Sequence, residues 1–188
     1  MKILEYFLSA AAAAMIGCIP CQARKFSASA NLIGYACLGT LNAELSYSPA
    51  RHWSVTAGAR YNPWTFRTSG QRKQFQMRQQ SYALGARFWP WHVYSGWWIA
   101  GKLQYQEYNM GGIISRRTEE GDRAGVGFTA GYAYMLSENL NLEFGLGFWG
   151  GVKKYTEYTC PTCGVTVASG IKGFILPDDL IVSISYVF

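Results

Sequence analysis

Residues 178–188, Asp178-Asp179-Leu180-Ile181-Val182-Ser183-Ile184-Ser185-Tyr186-Val187-Phe188, read as a β-strand that runs to the last residue. Successive side chains of a strand point to opposite faces. Leu180, Val182, Ile184, Tyr186 and Phe188 therefore share one face, which is wholly apolar and ends in aromatics. Ile181, Ser183, Ser185 and Val187 share the other, which is mixed and mostly small. An apolar outer row backed by a small, partly polar inner row is the pattern of a transmembrane β-barrel. Soluble domains more often fray into polar residues at their termini.

The same alternation recurs upstream. Leu142, Phe144, Leu146 and Phe148 alternate with Asn141, Glu143, Gly145 and Gly147. Val126, Phe128, Ala130, Tyr132 and Tyr134 alternate with Gly125, Gly127, Thr129, Gly131 and Ala133. Trp97, Ile99, Leu103 and Tyr105 oppose Ala100, Lys102, Gln104 and Gln106; Tyr82, Leu84, Ala86 and Phe88 oppose Ser81, Ala83, Gly85 and Arg87. Segments 53–61, 41–47 and, most weakly, 26–37 behave alike. With the closing segment they predict eight strands and an all-β fold: an antiparallel up-and-down transmembrane barrel over residues 24–188. A soluble sandwich would put its apolar face inward and its large polar residues outward. Here the second face is Gly, Ala and Ser, which suits the tight interior of a small barrel.

Residues 1–23 read as a secretory signal peptide. Lys2 is the basic start, Tyr6–Ile19 is the apolar run, and Cys21-Gln22-Ala23 is a loose cleavage site. Glu5 is unusual in such a leader, and an uncleaved helix or a lipoprotein acylated at Cys18 are the alternatives. No later stretch is long and apolar enough for a membrane helix, so a membrane protein of this sequence has to be a closed barrel. Net charge +6 with 16% aromatic residues and 21 Gly fits a β-rich chain with aromatic girdles. Export argues against nucleic acid as the counter-charge, and the expected location is the bacterial outer membrane, where lipid and lipopolysaccharide phosphate supply the anions. Connections alternate: 48–52, 90–96 and 137–139 are short, whereas 64–80, 110–123 and 150–179 read as long outer loops.

RHWSVTAGARYNPWTF (51–66), QEYNMGGI (106–113), CPTCG (160–164) and the closing strand together resemble a domain-of-unknown-function family of small secreted Gram-negative proteins. The resemblance covers nearly all of the chain after the leader. It implies an eight-stranded outer-membrane barrel, some members lying near fimbrillin-type pilus loci, and it implies no activity.

Several constellations stand out as sites. Cys160 and Cys163 are half of a zinc knuckle, but a structural zinc needs four ligands and the only other cysteine past the leader is Cys37. A disulfide between Cys160 and Cys163 is the better expectation in an oxidising compartment, and no cofactor is expected. Glu44, Arg60, Arg87, Lys102 and Glu143 fall on the inner face, where charges should pair with one another. A proton or ion path is the functional alternative, although eight strands leave no wide pore. Arg67, Arg72, Lys73 and Arg78 lie together with no acid between them. The plain reading is a solvated loop; the sharper one is a clamp for lipopolysaccharide phosphates or an acidic partner. ISRRTEEGDR (114–123) reads as ordinary surface. Tyr186 and Phe188 form the terminal aromatic signal that barrel-assembly machinery is thought to read. His52 and His92 both fall on the inner rim, which argues against Ser-His or Asp-His chemistry at the outer one. The expected role is a non-enzymatic barrel that anchors a surface assembly such as fimbriae through a surface protein partner. An outer-membrane enzyme acting on lipid A or peptides is the rival.

Overall fold

The computed structural model describes residues 24–36, 39–67, 74–111, 117–159 and 165–188. The expected leader with Cys18, the cysteines Cys37, Cys160 and Cys163, and the cations Arg72 and Lys73 lie outside the described residues. The elements are β1 (Phe26–Asn31), α1 (Leu32–Ala36), β2 (Leu41–Ala50), β3 (Trp53–Asn62), β4 (Thr65–Arg67), β5 (Gln74–Phe88), β6 (Gly96–Gly111), β7 (Thr118–Met135), β8 (Leu140–Tyr158) and β9 (Thr166–Val187). Every pairing is antiparallel and between chain neighbours, with two exceptions. β3 pairs directly with β5, leaving the three-residue β4 as an extra strand against the start of β5. β1 pairs with β9 and closes the sheet. The result is the expected eight-stranded up-and-down barrel with one strand added.

The alternation sorts the side chains as the sequence pattern requires. Leu45, Leu84, Leu103, Val126, Phe128, Leu146 and Phe148, spread over five strands, are each exposed by 57–65%. Their neighbours Ser46, Ser54, Ser81, Thr129, Ser183 and Ser185 are buried. Aromatic pairs flank the apolar belt near the short turns: Phe26–Tyr47, Trp53–Phe88 and Trp97–Tyr132 have ring centroids 4.9–5.2 Å apart. Tyr61, Tyr82 and Tyr105 flank it at the other end.

Three features differ from the sequence reading. First, the connections expected over 64–80, 110–123 and 150–179 are largely strand. β6 stays paired with β7 to Gly111↔Thr118, and β8 with β9 to Tyr158↔Thr166. Hydropathy alternates only where one face meets an apolar environment; beyond the belt the ladder continues without that signal. Second, β1 stops at Asn31 and does not reach Cys37. The Asn31 side-chain oxygen accepts the Ile33 N–H (3.1 Å), which turns the chain into α1. Third, β9 uses three steps, Pro177 to Leu180, where β8 uses two, Leu146 to Phe148. This bulge inverts the parity of β9. Outward residues are even-numbered below it (Leu180, Ile184, Tyr186) and odd-numbered above it (Ile171, Ile175).

The β1–β9 seam is short. It spans Ser27↔Val187 to Asn31↔Ser183, and Phe26 and Phe188 exchange both backbone hydrogen bonds at its end (3.0 and 2.9 Å). Inside it, the hydroxyls of Ser27 and Ser185 meet at 2.6 Å, and Ser185 is fully buried. Ser185→Leu forces a large side chain into this contact and is expected to cost about 1–3 kcal/mol. A urea titration in detergent, followed by tryptophan fluorescence, measures it.

Candidate functional site: an ion-paired lumen

The barrel interior is filled from its short-turn end upward. Arg87 on β5 reaches across the lumen to carboxylates on β2 and β8. Its Nη1 donates to Glu143 Oε2 at 2.8 Å, and its Nη2 donates to Glu44 Oε1. The Arg87 and Glu143 side chains are 8% and 1% exposed, and that of Glu44 is 32% exposed. The guanidinium also lies 4.4 Å from the ring centroid of Trp98, on β6. One arginine thus ties together three strands that are not neighbours in the sheet.

Below this cluster the turn between β5 and β6 folds into the barrel mouth. Trp89, Val93, Tyr94 and Trp98 pack together in one cluster of buried apolar residues with Ala100, Ala133 and Val187. Trp89 Nε1 donates to Ser54 Oγ (3.0 Å), and the Trp89 ring lies 6.2 Å from Trp98 and 5.9 Å from Tyr94. Tyr94 adopts φ 64°, which bulky residues rarely do. Three contacts hold it there: its hydroxyl donates to the Lys25 carbonyl (3.0 Å), the same hydroxyl lies 3.3 Å from Ser46 Oγ, and Asn141 Nδ2 donates to the Tyr94 carbonyl (2.7 Å).

Small residues on neighbouring strands make the room. A Cβ on Gly131 would lie 2.6 Å from Trp98 Cζ2, and one on Gly127 would lie 2.7 Å from Lys102 Cε. Above the arginine a cavity of about 70 Å³ remains, lined by Glu44, Arg60, Lys102 and Gln104 among others. That is room for a few waters at most.

A second cluster lines the inner face of the long-strand end, beyond the apolar belt. Lys153 Nζ donates to both oxygens of Glu119 (2.7 and 2.9 Å), and the Tyr108 hydroxyl donates to Glu119 Oε1. Arg123 lies 3.6 Å from Glu119 and covers the Tyr108 ring at 3.6 Å from its centroid. Trp149 and Phe174 pack edge to face at 4.7 Å beside it. Burial pushes Glu119 up, but the hydrogen bonds from Lys153 and Tyr108 and the nearby charges outweigh it, so its carboxyl sits below the usual range. Tyr108 is pushed up to about 12 by burial and by its bond to that carboxylate.

The five residues predicted for the lumen network all face the lumen. Arg87, Glu44 and Glu143 form the ion-paired core, whereas Arg60 and Lys102 line the cavity above it. Of the cationic cluster Arg67, Arg72, Lys73 and Arg78, only Arg78 has a described side chain. Arg67 ends β4 and its side chain lies outside the described set. Arg78 sits on the outward row of β5 across from Asn109, at a rim that also carries Glu107, Glu120 and Asp122. Tyr186 and Phe188 stack at 6.3 Å, with Phe188 also against Phe26 at 6.0 Å. His52 and His92 lie at the short-turn end, where each bonds a backbone carbonyl, of Trp89 (2.9 Å) and Val93 (3.0 Å). Sequence reasoning did not single out Trp98, Trp89 and Tyr94, or the outer cluster. Trp98 shares parity with Ala100 and Lys102, so the alternation does place it inside. Glu119 and Arg123 belong to the stretch that reads as ordinary surface in the sequence, yet both turn inward.

These observations define a closed eight-stranded barrel with an apolar exterior and an ion-paired, plugged interior. The chain belongs to the family described as "Protein of unknown function (DUF3575)", whose model matches residues 9–188. No curated protein matches it.

Arg87→Met leaves the Glu143 carboxylate buried without its cation, and is expected to lower stability by about 3–5 kcal/mol at neutral pH. Adding Glu143→Gln and Glu44→Gln should recover a large part of the loss, as read by urea titration in detergent. For Glu119 the sign follows from its depressed folded value: the unfolded chain binds the proton more tightly, so its contribution is present near neutral pH and is lost in acid. The stability gap between wild type and Glu119→Gln should therefore narrow below about pH 4, as followed by hydrogen exchange of the outer ends of β6–β8.

Proposed function

We propose that this chain is a non-enzymatic outer-membrane β-barrel that carries its long strand extensions at the cell surface and supports a surface assembly there, such as fimbriae. The observation that carries this reading is the continuous apolar exterior of a closed barrel. Leu45, Leu84, Leu103, Val126, Phe128, Leu146 and Phe148 form a belt around the wall, flanked by aromatics, while serines, glutamates and an arginine fill the inside. A barrel in water has no use for that inversion; a lipid bilayer demands it. In this reading residues 1–23 direct export, and the Tyr186/Phe188 end is what the assembly machinery engages.

A non-catalytic role is favoured by the disposition of the reactive groups. Arg87 is paired with Glu44 and Glu143, and Lys153 with Glu119. Both histidines sit at the short-turn end on backbone carbonyls. An enzyme acting on lipid A or surface peptides by Ser-His or Asp-His chemistry would hold a histidine at the opposite end. The lumen filled by Arg87 and Trp98 likewise favours a scaffold over a channel. Surface partners, lipopolysaccharide among them, would meet the extensions of β6–β9.

Cell fractionation with detergent gels, boiled and unboiled, tests the reading. The protein is expected in the outer-membrane fraction, with a mobility that changes on boiling; recovery in the soluble fraction without a shift sinks it. Leu146→Lys supplies an independent measure. At a water-exposed position it is nearly neutral, but near the middle of a bilayer it costs about 2–4 kcal/mol, measured by urea unfolding from vesicles.

A further inference from the structure

Above the belt, the register of the tall wall sets three cations side by side. Arg123 on β7 is directly opposite Lys153 on β8, and Lys153 is directly opposite Lys172 on β9. Directly opposite residues of an antiparallel ladder share a face. Lys153 bonds Glu119 inside the wall, so all three point inward, where a closed sheet is concave and its side chains converge. Like charges directly opposite each other destabilise a sheet. The nearby acids do not offset them. Glu119 alone serves Lys153, Arg123 and the Tyr108 hydroxyl. Glu157 is engaged by Arg117 at 3.1 Å. Glu107, Glu120 and Asp122 carry the outward parity. Lys172 is exposed and has no side-chain partner among the described residues. Arg123 Nε is buried with no hydrogen-bond partner among them. The segments that join the strands at this end, 68–73, 112–116 and 160–164, contain no Asp or Glu.

We propose that this inner face is a binding site for a phosphoryl group, with Lys172 and Lys153 as its direct contacts. A phosphate monoester carries about −1.5 to −2 charges at neutral pH, which answers the surplus of cations. The side-chain chemistry favours it over a carboxylate. Arginine's planar fork is the group that matches a carboxylate through two parallel bonds. The Arg123 guanidinium is already taken, lying over the Tyr108 ring at 3.6 Å and beside Glu119. Lysine ammoniums act as point charges and suit a tetrahedral anion. Lys172 brings three unengaged donors, and Lys153, which gives two to Glu119, has a third to spare. Arg123 adds positive field from behind them. Beside the two lysines, Tyr155 is directly opposite Gly170, and its ring lies 4.9 Å from Lys153 Nζ. A Cβ on Gly170 would meet only Tyr155 Cε1, at 3.9 Å. The group that bears the phosphate thus has an uncrowded aromatic surface to lie on. Past β9 the wall drops to β1, which pairs no higher than Ser183, so the site is open to solvent from that side. The inference needs the closed barrel alone and does not rest on the surface-scaffold reading.

The test is equilibrium dialysis of the full chain, folded in a zwitterionic detergent, against radiolabelled inorganic phosphate at constant ionic strength. Saturable binding of one phosphate per barrel is expected. Lys172→Gln, at an exposed position with no protein partner to lose, is expected to keep the β-sheet circular dichroism of wild type. It should weaken phosphate binding by about tenfold or more, the loss of one charge-assisted hydrogen bond. A wild type without saturable binding overturns the inference. So does binding that Lys172→Gln and Lys153→Gln both leave unchanged. Two competitors then identify the carrier of the phosphate. Displacement by glucose 1-phosphate in solution points to a soluble phosphate ester, and displacement only by lipid A added to the micelles points to a glycolipid headgroup. Displacement by neither overturns the inference.

Discussion

Eight strands enclose a lumen too narrow to stay open and too wide to stay empty. Every inward side chain is therefore chosen against its neighbours across the barrel. Trp98 occupies the space that Gly131 leaves, and Lys102 runs past Gly127. Once those volumes are assigned, the polar groups sharing the lumen must satisfy one another, because bulk water is excluded. Arg87 resolves the largest of these demands by bonding Glu143 and Glu44 together. Removing the cation would leave two carboxylates facing each other across the space it now fills.

The two ends of the barrel solve different problems. At the short-turn end the wall is even, and the mouth is stoppered by the turn that carries Trp89, Val93 and Tyr94. At the other end the wall is uneven. β1, β2 and β3 are short, whereas β6, β7, β8 and β9 rise well past the apolar belt. The tall side is held from within by Glu119, Lys153, Arg123 and Tyr108 rather than by apolar packing, as suits strands with water on both faces. That unevenness exposes the edge of β9. A barrel abolishes strand edges only as high as its lowest wall.

The sequence by itself determined the class of fold and the sidedness of the wall. Alternation of Leu180, Ile184 and Tyr186 against Ser183 and Ser185 needs no tertiary knowledge, because a strand's period of two is a local property of the backbone. Within the belt it also identified which charges face inward, Glu44, Arg60, Arg87, Lys102 and Glu143, since parity carries from one residue to the next. It did not determine how far the strands run. Beyond the belt both faces are wet, so the periodic signal vanishes while the hydrogen-bonded ladder goes on from Gly111 to Thr118 and from Tyr158 to Thr166. It did not show that Arg87 would take both Glu44 and Glu143 while Arg60 and Lys102 line a cavity, because partner choice depends on the stagger between strands far apart in the chain. Nor did it place Trp89 and Tyr94, which sit in a turn where parity has no meaning and are drawn inside only because the barrel mouth must be filled. Local periodicity decides which way a side chain points. Closure of the sheet decides what it meets there.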